Sequence, residues 1–129
     1  MREVFWRQEP LVESAEIDSP ARPSTLSVTL DTGFESPGRF DIRWSQHEFY
    51  SLHYQEPNDG PAFRFDRHPN PHSPETHFHR PPDATTDAAE PSCIEVVLPD
   101  LVALAVLEAW RYALDRDDVS LVNSIENPP

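Results

Sequence analysis

The residues best suited to do chemistry lie in one stretch, Phe63-Arg64-Phe65-Asp66-Arg67-His68-Pro69-Asn70-Pro71-His72-Ser73-Pro74-Glu75-Thr76-His77-Phe78-His79-Arg80. Four of the six histidines, His68, His72, His77 and His79, fall within twelve residues here, with Arg64, Arg67 and Arg80 beside them. Over residues 61–80 the formal charge is +1, whereas the rest of the chain carries −14. A neutral-to-positive island on an acidic protein is what a phosphate-bearing partner requires.

Three readings of this stretch compete. In the first, the histidines are acid and base for phosphodiester cleavage. Imidazole titrates near neutrality, so one ring accepts a proton while another donates. Arg64 or Arg80 stabilises charge growing on the phosphate. No metal is then needed if the 2′-hydroxyl of RNA is the nucleophile. Catalysis falls to His72, His77, His79 and Arg64, and substrate contact to Arg67, His68, Arg80 and Asp66. In the second, the histidines bind a divalent metal: His77 and His79 share a face in an extended chain, and His68, His72 or Asp66 completes the set. In the third they are structural and pin a proline-rich loop. Arg64 and Asp66 also share a strand face, so a structural ion pair is as natural for them as a catalytic role.

The elements that must position this stretch read as an α+β domain, an antiparallel meander of about five strands with a C-terminal helix packed on the sheet. The chain is expected to form one domain over 1–129, with an irregular segment at 1–23, the meander over 24–98 and a helical C-terminus over 99–125. Residues 11–17 suit either a short helix or an edge strand. From Thr25 apolar residues alternate with polar ones: Leu26, Val28, Leu30, then Phe40, Ile42, Trp44, then Tyr50, Leu52, Tyr54, then Phe63 and Phe65. Asn58-Asp59-Gly60-Pro61 is a turn signal. Residues 67–92, with six of the fifteen prolines, read as a loop, extended at Thr76–His79. Cys93–Leu98 reads as the fifth strand. Pro99-Asp100 starts a helix that runs to about Leu114, since Pro is tolerated in the first turn and an acid there suits the helix dipole. A short helix capped by Asp118 follows.

Composition bounds the rest. Net charge is −13, all ten basic residues are Arg, and there is no Lys. Carboxylates hold water in strong salt, whereas the aliphatic stem of Lys would add exposed apolar surface, so the chain reads as a halophilic protein. An ordinary acidic protein that lacks Lys is the plainer alternative. Cys93, the lone cysteine, forms no disulfide framework and reads as a small buried hydrophobe. The longest apolar run, Leu101–Leu107, is too short to span a bilayer, and the N-terminus has no apolar secretory core. The expected location is the cytoplasm, with no membrane partner and no cofactor.

The run Phe63-Arg64-Phe65-Asp66, followed by Pro69, His72 and His77-Phe78-His79, resembles the signature of TumE-like toxins of type II toxin–antitoxin systems. Their Arg-aromatic-Asp run and histidine cluster close a β-meander. The string from Arg67 to Ala84 is also similar to a set of haloarchaeal proteins. The resemblance spans about residues 38–84. Here Asn70 and Pro71 precede His72, Phe78 separates His77 from His79, and Arg80 stands near the place of the family's Lys. The resemblance implies a toxin acting on RNA or the translation machinery and silenced by an antitoxin protein. The other class is a non-enzymatic binding or domesticated protein that keeps only the fold, its histidines structural or metal-binding. A neighbouring gene for a helix-turn-helix antitoxin favours the first class, and an isolated gene favours the second.

The charge reading makes a prediction. At molar ionic strength the Debye length falls to roughly 3 Å, which screens the self-repulsion of the acidic surface. The melting temperature should therefore rise from low to molar KCl. An equal or higher melting temperature at low salt would overturn the halophilic reading.

Overall fold

The computed structural model describes residues 12–17, 25–44, 49–67, 76–81, 89–94, 96 and 99–124. Alternation becomes strand wherever it was expected: β2 is Thr25–Leu30, β3 is Arg39–Trp44, β4 is Tyr50–Gln55 and β5 is Ala62–Arg67. The ambiguous N-terminal segment is also a strand, β1 (Val12–Ile17), paired with β2. Thr76–His79 forms β6, and Ala89–Pro91 forms β7. All seven pair antiparallel in chain order, a pure meander. Helix α1 follows over Pro99–Asp115.

The closing strand is not Cys93–Leu98. Among the described residues of that run, Cys93, Ile94 and Val96 are not in a strand. Side chains take the backbone groups a ladder would use. Cys93 N–H donates to Asn123 Oδ1 (2.7 Å) and Ile94 N–H to Ser92 Oγ (3.0 Å), while Asn123 Nδ2 donates to the Pro91 carbonyl (2.9 Å). Cys93 instead packs against the core, as a small hydrophobe would, and burial pushes its thiol up to about 11.

Turns follow residue chemistry. Asn58 and Asp59 both sit at positive φ (58° and 57°), and Gly60 N–H donates to the Pro57 carbonyl, giving the tight β4–β5 hairpin. Helix α1 ends with Asp117 at φ 52°. There Asp118 N–H reaches the Ala113 carbonyl and Asp117 N–H the Leu114 carbonyl. Asp118 then caps the 3₁₀ turn Val119–Leu121 by accepting from Ser120 N–H.

One face of the sheet is apolar. Leu26, Val28, Leu30, Phe40, Ile42, Leu52, Tyr54, Phe63 and Phe65 are fully buried there, and Trp44 packs at the margin. Tyr50 is buried too, which pushes its phenol up to about 12. Rings meet across the strands: Tyr54 stacks on Phe63 at 5.0 Å, and Phe65 meets Phe78 in a tilted pair at 4.8 Å between centroids. Helix α1 covers this face, with the Trp110 indole 6.4 Å from both Phe40 and Tyr54. Ala103, Ala105, Ala109 and Ala113 are buried beside it.

The β2–β3 loop is held by Glu56, 1% exposed. Its carboxylate accepts from Phe34, Glu35 and Ser36 N–H at 2.7–2.8 Å and from Tyr54 Oη at 2.6 Å. Burial, then Glu56, keeps the Tyr54 phenol protonated well above its ordinary range. A Cβ at Gly38 would come 2.3 Å from Tyr54 Oη, so only glycine fits.

Leu104 is half-buried and Leu101 is exposed, whereas Val106 is fully buried. The helix face against the sheet thus centres on Val106, not Leu104 as the apolar run suggests. Val106→Asp should abolish cooperative folding, because an unpaired buried charge costs several kcal/mol, and Leu104→Asp should melt cooperatively at a reduced temperature. The reverse order in thermal melts would refute this packing.

Candidate functional site

The second sheet face is polar, because alternation sends to it every residue the core does not take. Strand register lines these residues up in rows. One row runs Ser27, Asp41, His53, Arg64, His79, and the next runs Arg43, Ser51, Asp66, His77. A shallow depression lined by Thr29, Pro37, Gly38, Arg39, Gln55 and Pro57 opens at the adjoining row.

Strand β6 folds back along β5 so that Arg64 faces His79 and Asp66 faces His77. The four side chains converge. Arg64 Nε donates to Asp66 Oδ2 (2.8 Å), and Arg64 Nη2 lies 3.0 Å from His79 Nε2. His79 Nε2 and His77 Nε2 lie 3.0 and 3.5 Å from the same Asp66 oxygen. The imidazole rings sit edge to face, 5.0 Å apart. His77 and His79 are each only 2% exposed and Asp66 4%. Arg64, about a quarter exposed, is the member of the array that solvent reaches. A carboxylate this buried needs a charged partner, and Arg64 supplies it in the expected strand-face pair.

The other predicted site residues are elsewhere. Arg67 pairs with Tyr50 at the apolar-face end of β5, its guanidinium 5.8 Å from the Phe49 ring. Arg80 is exposed, 3.9 Å from Glu90. Neither joins the cluster. His68 and His72 lie outside the described residues. Sequence reasoning did not select His53, which stands between Asp41 and Arg64 in the central row. Its signal was its register partners, visible only once the hairpins are drawn.

The fold and this polar face define an α+β protein, with helix α1 on one side of a meander and a His–Asp–Arg cluster on the other. The family described as toxin TumE matches residues 2–111, and the chain belongs to it. Comparison with curated proteins and with solved structures gives no match. Family membership implies a toxin-like role in a toxin–antitoxin system, with an antitoxin as partner. No helix among the described residues is long and apolar enough to cross a membrane.

Burial, then the positive charge of Arg64, lowers His53 below its ordinary 6.5. The unfolded chain therefore binds a proton near that pH that the folded chain refuses. The contribution of neutral His53 is fully present above about pH 6.5 and is lost as pH falls through the folded value. Wild-type melting temperature should drop more steeply between about pH 8 and pH 5 than that of His53→Gln. Parallel curves would contradict this.

Proposed function

We propose that this protein is a toxin that acts on RNA in a salt-rich cytoplasm, with the polar sheet face as its working surface. The observation that carries the reading is the Arg64–Asp66–His77–His79 array, built from two adjacent strands on the face opposite the helix. Arg64, the accessible member, is the first contact for a phosphate. Asp66 fixes its fork, and planar guanidinium suits phosphate oxygens. Arg39, Arg43 and His53 extend the same face. His77 and His79 stand directly behind Arg64, close enough to each other and to Asp66 to pass a proton when the RNA 2′-hydroxyl attacks. The absence of Lys and the charge of −13 support the saline setting.

The near-complete burial of both histidines favours a second reading, a binding protein in which the cluster is structural. One experiment separates the two. The full chain is expressed from an inducible promoter with and without the neighbouring gene, as wild type, Arg64→Ala and the His77→Ala, His79→Ala double variant. Growth, RNA integrity and the melting temperature of the purified proteins are followed. The RNA-directed reading expects growth arrest with RNA breakdown in the wild type, relief by the neighbouring gene, and loss of both effects in folded variants. Arrest with intact RNA, or full toxicity of both variants, would sink it. Variants that lose toxicity only because they unfold would establish the structural reading.

A further inference from the structure

We propose that Asp66, His77 and His79 form a three-ligand site for a divalent transition-metal ion of the zinc class. Each residue offers one ligand atom, and the three atoms lie within 4.8 Å of one another. The separations from Asp66 Oδ2 are 3.0 Å to His79 Nε2 and 3.5 Å to His77 Nε2. A tetrahedral ion with bonds of about 2.0–2.1 Å holds its ligands roughly 3.3–3.4 Å apart, so these spacings bracket what the ion needs. Two imidazoles and one carboxylate form a donor set for zinc, nickel or copper, not for magnesium or calcium, which take oxygen ligands. Three protein ligands leave a fourth position for water or an anion.

Two imidazole nitrogens converge on one carboxylate oxygen. His79 Nε2 lies 3.0 Å from both Asp66 Oδ2 and Arg64 Nη2, and it can donate to the first or accept from the second, not both. His77 Nε2 aims at the same oxygen from 3.5 Å, beyond the range of a normal N–H···O bond. A shared ion explains why both rings point there. Arg64 fits as the outer partner of a ligating carboxylate, through its Nε bond to Asp66 Oδ2. Its Nη2, 3.0 Å from His79 Nε2, competes for that nitrogen's lone pair, so loading turns Nη2 away while the Nε bond stays. Beside Arg64 the loaded cluster carries excess positive charge, which hydroxide or a phosphate oxygen in the fourth position would balance.

The site goes beyond the RNA reading: an imidazole whose Nε2 lone pair holds the ion is not free to pass a proton, so loading and proton transfer are separate states of one cluster, and the test uses metal alone. The full chain, stripped with a chelator and held in molar KCl to screen surface carboxylates, is titrated with Zn²⁺ by calorimetry and with Co²⁺ by visible absorption. The proposal expects saturable binding of a single ion, the intense visible bands of four-coordinate Co²⁺, and a melting temperature that rises with Zn²⁺. The His77→Ala, His79→Ala double variant should lose the bands. Asp66→Asn, nearly isosteric and the safeguard should the double variant not fold, should bind at least about tenfold more weakly. Absence of saturable binding by the wild type, or equal affinity in Asp66→Asn, would overturn the site. Either failure would leave the toxicity experiment unaffected.

Discussion

The polar face rests on one register, that of β5 against β6. Side chains alternate with period two, so a slip of one residue would carry His77 and His79 into the core and Phe78 onto the polar face. Phe78 prevents this. It lies 4.8 Å from Phe65 and 6.0 Å from Phe63 and is buried with them against the helix side. Apolar packing on one face thus positions the ionisable groups on the other. The aromatic-polar-aromatic spelling Phe63-Arg64-Phe65-Asp66 and the His77-Phe78-His79 spelling are two halves of one device.

The protein buries two described carboxylates, and their surroundings differ in kind. Glu56 is saturated: three backbone N–H groups of the loop it organises and the hydroxyl of Tyr54 on β4 fill its lone pairs. Such an acid is a fastener, since any ligand would have to replace several charge-assisted bonds at once. Asp66 is held by side chains. Arg64, His77 and His79 each have freedom of rotamer or protonation that a backbone amide lacks. An arrangement that can exchange partners can take part in binding or proton transfer, and this distinction makes the Asp66 cluster the candidate site.

How much of this was legible depends on sequence distance. The alternations from Leu26 to Phe65 mark β2–β5 directly, because each strand declares its face within six residues. The Arg64–Asp66 pair and the shared face of His77 and His79 follow from the same period. Strands β6 and β7 are short and flanked by proline, too brief for periodicity to separate them from loop, and the apolar spelling of Cys93–Leu98 imitated the strand that Ala89–Pro91 supplies. Glu56 could not be read at all, since its backbone partners lie 20–22 residues away and carry no side-chain signal. Arg67 and Arg80 shared the basic island in sequence and separated in space, because a count of charges ignores which way each strand residue points.

The same distinction between charge counts and placed charges bears on how such a chain would meet RNA. Nucleic-acid binding ordinarily leans on a broad basic surface and counterion release, both of which weaken steeply with salt. A net charge of −13 works against such a surface. In the saline setting proposed above, fields fade within roughly 3 Å, so long-range repulsion and long-range steering vanish together. Recognition then falls to groups in direct contact: a planar guanidinium held by a buried acid, with imidazoles aligned behind it by the β-ladder. Contacts in a partly desolvated cluster are screened far less than exposed charges. A small rigid array can therefore outweigh an unfavourable net charge where a diffuse basic patch could not.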